Sequence, residues 1–552
     1  MNQTVSTNVA AHLPKMAQLQ PETPAIHIPR KGFGQPYDHY SFAQLDQATN
    51  CMAAALDALG IKRGVRTVLM VPPGFDFFAL TFALFKIGAV PVLVDPGMGL
   101  KNLKTCLAEA APQAFIGVPK AHLARLLFGW SKPTIKILLT VGRRLGWGGT
   151  TLEQALATIP ADQSYPAAHT TRDETAAILF TSGSTGVPKG ALYSHGNFTA
   201  QVEALRELYA IRPGEIDLPT FPLFALFAPA LGMTSVIPEM DFTRPAAVDP
   251  VKIFAAIETF QITTMFGSPA LINRLSHYGV THNVTLPSLK RVISAGAPVA
   301  AEVLERFTTL LTPGVEVYTP YGATEALPVC SIGSTEILAS TRLATTQGRG
   351  VCVGPPVASI IAEIIPITDE LLPCWDDTLK LGTDEIGEIV VRGPQVTQSY
   401  FNRPQSTALA KIPIPEEDSF FHRMGDLGYR DEQGRIWFCG RKAHRVVTAA
   451  GTLFTIPCEA IFNTHPQVFR TALVGIGTPG RQQPVLCIEL APGTQRSAQI
   501  RILAELRVIG SEHPITRPID DFLIHPAFPV DIRHNAKIFR EKLALWAAER
   551  LS

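Results

Sequence analysis

The sequence predicts a multi-domain α/β protein, with a large N-terminal domain at residues 1–440 and a small C-terminal α+β domain at residues 441–552. Short apolar runs of strand length alternate with helical patterns through most of the chain, which is the order expected for parallel sheets. A loop rich in glycine and serine follows one of these runs. Gly440-Arg441-Lys442 then opens a tail that has strands and helices of its own.

A βαβ unit starts the alternation. Thr67–Val71 and Val90–Val94 are short apolar runs typical of strands, and Phe75–Lys86 between them has the length of a helix. Further apolar runs that end in Gly- or Ser-rich loops are Ala177–Phe180, Arg291–Ser294 and Val315–Tyr318. Because ligands bind at the carboxyl ends of parallel strands, the loops after these runs are the expected binding edge.

The tail is predicted to fold as a lid. Two strands, Phe469–Val474 and Val485–Leu490, and two helices, Gln499–Val508 and Phe539–Ala548, are enough for a small domain. Gly475–Gly480 has the spacing GxGxxG after an apolar strand, but the proline-rich residues that follow do not open a helix. We therefore expect no dinucleotide site there.

Composition excludes several classes of partner. The 48 lysine and arginine residues balance 47 acidic residues, so the net charge of +1 gives no reason to expect a nucleic-acid partner. The eight cysteines form no CxxC pair and have no zinc-type spacing to histidine, which favours reduced thiols. Residues 1–18 lack the basic and apolar regions of a signal peptide, so a cytoplasmic location is expected.

Two apolar segments need a separate interpretation. Leu218–Pro238 is uncharged over the length of a membrane span, but four prolines and Gly232 would interrupt a lipid-exposed helix. We expect a buried segment that lines a pocket, and no transmembrane span. Leu126–Gly149 mixes tryptophans and arginines with apolar residues, which fits either a strand followed by a mobile loop or a contact with a partner or a membrane surface.

The strongest local signal is the loop that follows Ala177–Phe180. Its glycines let the backbone approach a polyphosphate, while its hydroxyl groups and the Lys189 ammonium group supply donors. Pro188 stands where a Walker A loop has its second glycine, so this is a different class of phosphate loop. The predicted phosphate-binding residues are Thr181, Ser182, Gly183, Ser184, Thr185, Gly186 and Lys189.

This loop resembles the phosphate loop of the adenylate-forming (acyl-CoA synthetase-like) superfamily, and other motifs of that superfamily follow it in order. Ser294–Pro298 resembles the adenine-binding turn, and Tyr321–Glu325 resembles the segment that stacks on adenine and supplies a magnesium carboxylate. The resemblance implies a fold of the adenylate-forming type, ATP and Mg²⁺ as cofactors, and Glu325 as the metal ligand. The other nucleotide-binding residues that it implies here are Gly296, Ala297, Pro298, Tyr321, Gly322, Ala323 and Thr324.

Two later segments complete the resemblance. Gly425–Tyr429 resembles the ribose-binding motif through Asp426, and Arg441 resembles its basic partner before the hinge. Lys537 lies in the region of the superfamily's C-terminal lysine, which can bridge the substrate carboxylate and the α-phosphate and stabilise the charge that develops there. The resemblance therefore implies catalytic roles for Lys537, Thr185 and Glu325.

Three positions depart from a typical acyl-CoA ligase. Ala225 stands where many relatives carry a gating histidine, Ala443-His444 stands where the hinge usually has acidic residues, and Ala536 precedes the lysine in place of glycine. These changes leave the ATP-binding motifs intact and affect the parts that rotate the small domain and admit a thiol. In this combination the chain resembles the β-lactone synthetases of bacterial long-chain olefin biosynthesis.

That resemblance implies a long-chain 2-alkyl-3-hydroxy fatty acid as the substrate. The acid is adenylated, and its own 3-hydroxyl group then attacks the acyl-adenylate to give a β-lactone and AMP. An apolar pocket around Phe221, Phe224 and Phe227 is expected to hold alkyl chains. The segment at residues 126–149 is then a candidate contact with other enzymes of the olefin pathway.

Two alternatives stay open from the sequence. A long-chain fatty acyl-CoA synthetase would share every ATP motif and would need coenzyme A to release AMP. A non-catalytic acyl- or nucleotide-binding module would keep the fold, although the retention of both Lys189 and Lys537 argues against it.

Overall fold

Runs of buried aliphatic residues form a seven-stranded sheet in the first part of the chain. Its strands pair in parallel, except that the last pair is antiparallel. In spatial order the strands are Thr150–Thr151, Ile137–Thr140, Ala114–Gly117, Arg66–Met70, Val90–Leu93, Thr175–Phe180 and Gly190–Ser194. The computed structural model describes residues 6–30, 37–94, 98–180, 188–221, 226–530 and 537–551.

Helices pack on this sheet, and two of them begin with a capping box. Ser41 and Gln44 exchange side-chain and backbone hydrogen bonds at the start of one helix, and Ser194 and Asn197 do the same at the start of another. The Phe75–Lys86 helix is buried from Phe77 onward and packs against the helix at Phe42–Ala58. The helices of this part are Val9–Ala11 (3₁₀), His12–Leu19, Phe42–Ala58, Phe75–Lys86, Leu100–Ala110, Pro119–Phe128, Leu152–Leu156 and His195–Leu208.

A second, eight-stranded sheet has a parallel centre and an antiparallel pair at each edge. In spatial order its strands are Ala326–Gly333, Glu316–Ala323, Arg291–Ile293, Thr264–Phe266, Ile216–Pro219, Thr234–Val236, Pro24–Pro29 and Tyr37–Ser41. Its helices are Phe227–Leu231, Pro245–Ala247 (3₁₀), Pro250–Phe260, Pro269–Thr281 and Ala301–Thr308. A helical stretch of four consecutive pieces follows the sheet, at Ser334–Glu336, Ile337–Thr341, Arg342–Ala344 and Thr345–Arg349.

The third sheet is antiparallel throughout. Its strands are Val351–Gly354, Ile436–Arg441, Ser419–Arg430, Gly387–Arg392 and Ile361–Ile365 in spatial order, with Lys411–Ile414 paired beside Ser419–Arg430. A short 3₁₀ turn at Asp377–Leu379 and a helix at Pro404–Ala410 accompany it.

The strands after Arg441 join none of these three sheets. Val446–Thr448 pairs with Gly451–Leu453, and a three-stranded sheet contains Val468–Ile476, Gln483–Leu490 and Asp521–Ile524. The helices of this part are Lys442–His444 (3₁₀), Thr455–Phe462, Arg496–Ala498 (3₁₀), Gln499–Glu512 and Arg540–Leu551.

The predicted α/β class is confirmed, and so is the βαβ unit, since its helix has the predicted bounds and its strands differ by one residue at their ends. The loop at Gly475–Gly480 joins two antiparallel strands in a hairpin, which agrees with the rejection of a dinucleotide site. The strand Gly190–Ser194 was not predicted, because its residues, Gly-Ala-Leu-Tyr-Ser, do not form a continuous apolar run.

The proline-rich segment Leu218–Pro238 is an interior segment, as predicted. It begins in one strand, passes through the short helix Phe227–Leu231 and ends after another strand, while residues 222–225 lie outside the described part of the chain. Across the described residues, no helix combines the length and the apolar character that crossing a bilayer requires.

Candidate active site

One large cavity, of about 1940 Å³, brings together most of the residues singled out in the sequence. It lies where strands of the three large sheets end, which is the edge that the alternating pattern predicted. The predicted residues that line it are Lys189, Gly296, Ala297, Pro298, Tyr321, Gly322, Ala323, Thr324, Glu325, Asp426, Arg441 and Lys537. Thr181, Ser182, Gly183, Ser184, Thr185 and Gly186 lie outside the described residues.

At two positions of the cavity wall the backbone requires glycine for a steric reason. Gly296 has a φ of +100°, a conformation that residues with a side chain rarely adopt. A Cβ atom on Gly322 would lie 2.6 Å from the carbonyl oxygen of Ala326, so the antiparallel strands approach too closely there for any side chain. Both positions are therefore unsuited to a residue with a side chain.

A buried carboxylate connects two sheets at one end of the cavity. The hydroxyl group of Tyr321, from the eight-stranded sheet, donates a 2.6 Å hydrogen bond to Oδ2 of Asp426 in the antiparallel sheet. Arg441 is paired opposite Asp426 on the neighbouring strand, and its Nη1 lies 3.0 Å from Oδ1 of Asp426. The ring of Tyr321 is therefore held at its hydroxyl group, beside Phe438, while it contributes to the cavity wall.

The second oxygen of Asp426 retains acceptor capacity. Although Nη1 of Arg441 is close, no hydrogen bond reaches the buried Oδ1 from the described residues, because the N–H groups of Arg441 are not directed at it. Burial raises the pKa of Asp426, and the neighbouring Arg441 partly opposes this shift. The Asp426 carboxylate in turn raises the pKa of Arg441. A buried carboxylate oxygen that can still accept a hydrogen bond suits a ligand that carries hydroxyl groups.

Glu325 is positioned by a second group of polar residues. The hydroxyl group of Tyr400 donates a 2.7 Å hydrogen bond to Oε1 of Glu325, and the backbone N–H of Thr397 donates a 2.8 Å bond to the Glu325 carbonyl oxygen. Burial, and then the Glu325 carboxylate, raise the pKa of Tyr400, so this tyrosine remains a donor. Lys189 lies over the Tyr400 ring, with Nζ 5.1 Å from the ring centroid.

A buried lysine lies behind this group. Lys411 is 7% exposed, and its ammonium group donates to the carbonyl oxygen of Thr397. Burial lowers the pKa of Lys411 to about 7, although the charge of Glu325 acts in the opposite direction. Lys411 therefore changes its charge near neutral pH inside the wall of the site.

A third anchor holds the backbone of Thr324. The hydroxyl group of Tyr193, on the strand Gly190–Ser194, donates to the carbonyl oxygen of Thr324, and Nε2 of Gln201 lies 3.5 Å from the same hydroxyl group. The segment that contains Tyr321–Glu325 is thus tied to the seven-stranded sheet as well as to its own eight-stranded sheet.

The rest of the cavity is mainly apolar. Phe77, Phe82 and Phe85 project into it from one side of the buried Phe75–Lys86 helix. Phe221 and Phe227 also line it, as the sequence predicted, while Phe224 lies outside the described residues. Such a wall suits alkyl chains.

The chain matches a known protein family over most of its length. The model of one protein family, described as AMP-binding enzyme, matches residues 13–401 of the chain, which is more than half of its length. The chain belongs to the AMP-binding enzyme family. The adenylate-forming resemblance that the motifs indicated is therefore confirmed.

Two known proteins are similar to this chain over nearly their whole length, and a third over about four fifths of it. Olefin β-lactone synthetase of Xanthomonas campestris pv. campestris is 52% identical over 99% of this chain and 98% of that protein. The protein of the same name from Stenotrophomonas maltophilia is also 52% identical, over 99% and 98% of the two chains. Feruloyl-CoA synthase of an Amycolatopsis species is 26% identical over 80% and 81%.

Solved structures of AMP-binding enzymes have the same fold. The amide bond synthetase from Marinactinospora thermotolerans superposes with a TM-score of 0.80 at 22% identity, covering 98% of this chain and 99% of that chain. O-succinylbenzoate coenzyme A synthetase from Bacillus subtilis, in complex with AMP, gives a TM-score of 0.75 at 20% identity over 96% and 97%. At these identities the likeness establishes the fold alone.

Several residues of this AMP-binding enzyme's site were missed from the sequence. Tyr193, Tyr400 and Lys411 contact or support the predicted residues, yet none of them belongs to a motif that was used. A lysine at the start of the strand Lys411–Ile414 looks like a solvated strand end, and only the tertiary contact with Thr397 shows that it is buried.

We expect Lys411 to make stability depend on pH. The unfolded lysine has a pKa of 10.5 and the folded one about 7, so between these values the unfolded chain binds more protons and stability rises with pH. In Lys411→Met this contribution is absent, and the wild type should gain up to about 1.4 kcal/mol per pH unit over the variant in that range. Denaturant unfolding at a series of pH values measures the difference, with Lys290→Met at an exposed position as the control. Parallel curves for wild type and Lys411→Met would contradict the assignment.

Proposed function

We propose that this AMP-binding enzyme adenylates a long-chain 2-alkyl-3-hydroxy fatty acid with ATP and closes it to a β-lactone, releasing pyrophosphate and AMP. The observation that carries the proposal is the 52% identity, over 99% of the chain, to two olefin β-lactone synthetases. Coenzyme A-dependent relatives such as feruloyl-CoA synthase are much less similar, at 26% identity. The reaction places the enzyme in olefin biosynthesis, and a cytoplasmic location stays a prediction.

The cavity wall offers a site for each part of ATP. Tyr321 and the turn Gly296–Pro298 are placed to hold adenine between an aromatic face and backbone. The buried Asp426 has an acceptor oxygen for ribose hydroxyls, with Arg441 beside it to keep the carboxylate charged. Lys189, at the end of the predicted phosphate loop, supplies a positive charge for the phosphates.

Glu325 is the carboxylate that we assign to Mg²⁺. It is a hard oxygen donor at the cavity wall, and Tyr400 holds it in orientation, which are the properties that this ion requires of a protein ligand. When bound, the ion neutralises part of the phosphate charge. Tyr400 and the backbone of Thr397 then keep the Glu325 carboxylate in place.

In the first step a carboxylate oxygen of the fatty acid attacks the α-phosphorus of ATP. A bond forms between that oxygen and phosphorus, and the bond to the β-phosphate oxygen breaks with loss of pyrophosphate. Lys537 lines the cavity and carries a positive charge, so we assign it to the negative charge that develops between the carboxylate and the α-phosphate.

In the second step the 3-hydroxyl oxygen of the same molecule attacks the acyl carbon. The new carbon–oxygen bond closes a four-membered ring, AMP leaves with the acyl–oxygen bond pair, and the hydroxyl proton passes to the departing phosphate or to water. Well-oriented intramolecular reactions reach effective molarities on the order of 10⁵ M or more, and the ring strain reduces this advantage. The apolar wall formed by Phe77, Phe82 and Phe85 is suited to orient the alkyl chains.

We propose that residues 441–552 form the lid of this site. The linker Lys442–His444 has contacts on both sides, since Nζ of Lys442 lies 3.1 Å from Oε2 of the buried Glu388 and Nε2 of His444 lies 3.2 Å from Oε1 of Glu541 in the C-terminal helix. Arg445 adds a 2.5 Å contact to Asp369. A lid that carries Lys537 closes for adenylation and opens for release.

Lys537→Ala is expected to slow pyrophosphate release by about 10² or more, because it removes a charge that stabilises the transition state. ATP binding should stay close to that of the wild type, since adenine and ribose meet other residues. Lys542→Ala, in the following helix, is the control. Normal pyrophosphate release from Lys537→Ala would remove this lysine from the mechanism.

If Gly440–Ala443 is a hinge, its susceptibility to trypsin should change when ATP and substrate are added, because the lid closes over the site. Limited proteolysis with mass spectrometry measures cleavage after Arg441, Lys442 and Arg445. Cleavage after Arg143, in an exposed loop, serves as the internal control. Equal cleavage at the linker with and without ligands would argue against a moving lid.

The product test separates the proposed reaction from its alternatives. A 2-alkyl-3-hydroxy acid should be converted with ATP and Mg²⁺ in the absence of coenzyme A, to a product that has lost one water. A simple fatty acid lacks the internal nucleophile and should stop at the adenylate. Mass spectrometry of both reactions, with and without coenzyme A, identifies the products. Acyl-CoA formation without a lactone would favour the long-chain acyl-CoA synthetase, and no pyrophosphate release would favour the non-catalytic module.

A further inference from the structure

A group of apolar side chains is exposed on the outer side of the Pro119–Phe128 helix and in the loop after it. We call these five residues the leucine surface: Leu123, Leu126, Leu127, Phe128 and Leu145. Leu127 is 72% exposed and Leu145 is 65% exposed. Positions 123, 126 and 127 share one face of a helix, while His122 and Arg125 of the same helix are buried.

The loop that contains Leu145 is anchored against this helix. The ring of Trp147 stacks on that of His122, with centroids 5.2 Å apart and planes 7° apart, and Nε1 of Trp147 donates a 3.0 Å bond to the hydroxyl group of Thr140. Trp130 is turned inward and is only 3% exposed. Of the apolar residues at 126–149, the two tryptophans thus support the structure, while Leu126, Leu127, Phe128 and Leu145 face outward.

The stretch of chain that forms the leucine surface carries charge of one sign. No aspartate or glutamate occurs between Glu109 and Glu153, a stretch that contains six lysine and arginine residues. Arg125 is buried, and the other five are exposed, at Lys120, Lys132, Lys136, Arg143 and Arg144. This local excess is present although the whole chain is nearly neutral.

The inner side of the same elements lines the cavity. Val118, Ala121 and Trp130 belong to the cavity wall, as do Phe77, Phe82 and the exposed Lys120. The apolar part of the cavity therefore reaches the helix whose outer face carries the leucine surface.

We propose that the leucine surface docks on an anionic lipid bilayer, with the five exposed basic residues at the headgroups. Exposed leucine and phenylalanine beside lysine and arginine are the combination that binds the interface of a membrane. Each lysine or arginine near an anionic leaflet adds favourable electrostatic attraction. The docked orientation places the apolar end of the cavity beside the bilayer, from which a substrate with two long alkyl chains can enter.

A bilayer fits these observations better than another enzyme of the pathway. The basic residues and the absence of acidic ones give a field of one sign, which complements a continuous anionic surface. Protein interfaces are, by contrast, depleted of lysine. Contact with an olefin-pathway enzyme at 126–149 is therefore an outcome that the test must distinguish.

The full-length chain is mixed with vesicles of equal parts phosphatidylglycerol and phosphatidylcholine, and bound protein is separated by flotation, without ATP or fatty acid. The wild type should bind these vesicles and bind vesicles of phosphatidylcholine alone at least tenfold more weakly. Raising the salt from about 0.1 M to about 1 M shortens the Debye length from about 10 Å to about 3 Å and should weaken binding.

Leu127→Glu should lower vesicle affinity at least tenfold, because it removes an exposed leucine that would insert between the lipids and adds a negative charge at the headgroups. The control is Ile500→Glu, which makes an equivalent change at a position 83% exposed on the Gln499–Glu512 helix and should bind as the wild type does. A double variant, Lys132→Glu with Arg143→Glu, tests the contribution of charge and should weaken vesicle binding tenfold or more. Its control is the double variant Lys290→Glu with Arg517→Glu, which changes the net charge equally at other exposed sites and should bind as the wild type does.

Three results would overturn the proposal: equal binding to both kinds of vesicle, equal loss in Leu127→Glu and Ile500→Glu, or no vesicle binding by the wild type. If the wild type instead self-associates in light scattering, and Leu127→Glu abolishes this, the leucine surface is a protein interface. Thermal unfolding confirms that each variant is folded. Because binding is measured without substrate, failure here leaves the proposed lactone chemistry intact.

Discussion

The nucleotide end of the cavity depends on one buried carboxylate. Asp426 accepts a hydrogen bond from Tyr321 of the eight-stranded sheet and lies 3.0 Å from Arg441 on the neighbouring strand of its own sheet. Burial alone would favour the neutral acid, and the adjacent guanidinium group opposes this. The same contact therefore joins two sheets, orients the tyrosine ring and leaves an acceptor oxygen beside the cavity. Because Arg441 is the last residue before the linker, the start of the C-terminal part is tied to this point as well.

Around Glu325, a set of hydrogen-bond donors holds the carboxylate side chain and its backbone in position. Tyr400 donates to the carboxylate, Thr397 donates to the backbone, and Lys411 holds Thr397 from behind. A buried polar network of this kind is favourable only when its members are paired, so each of them constrains the others. The result is a carboxylate held at one oxygen and at its own backbone, and such preorganisation suits the metal-binding role that we propose for Glu325.

The apolar part of the cavity and the outer surface have related chemistry. Phenylalanines from the buried Phe75–Lys86 helix line the inside, and the Pro119–Phe128 helix contributes to the cavity wall while it presents the leucine surface outward. An internal hydroxyl nucleophile removes the need for a second cosubstrate, so the enzyme's task is to orient one flexible molecule and exclude water. A substrate with two alkyl chains is poorly soluble, and direct transfer from a bilayer shortens its path through water. The proposed docking thus concerns the apolar end of the cavity, and activation of the acid by ATP concerns the end that contains Asp426.

Much of this protein was determined by its sequence. The alternation of strands and helices predicted the α/β class, and the motifs at Gly296–Pro298, Tyr321–Glu325, Asp426 and Lys537 named residues that do line one cavity. Such motifs are local, because backbone conformation and short-range chemistry constrain neighbouring residues directly. Tyr193, Tyr400 and Lys411 were not found, since their roles come from partners that lie far away in the chain, such as Tyr193 with Thr324. Likewise, the sequence at 126–149 mixed tryptophan and leucine without distinguishing them. Only the tertiary structure decided that Trp147 packs against His122 and Thr140 while Leu126, Leu127 and Leu145 face outward. Burial is a property of the assembled chain, so tertiary structure alone assigns it.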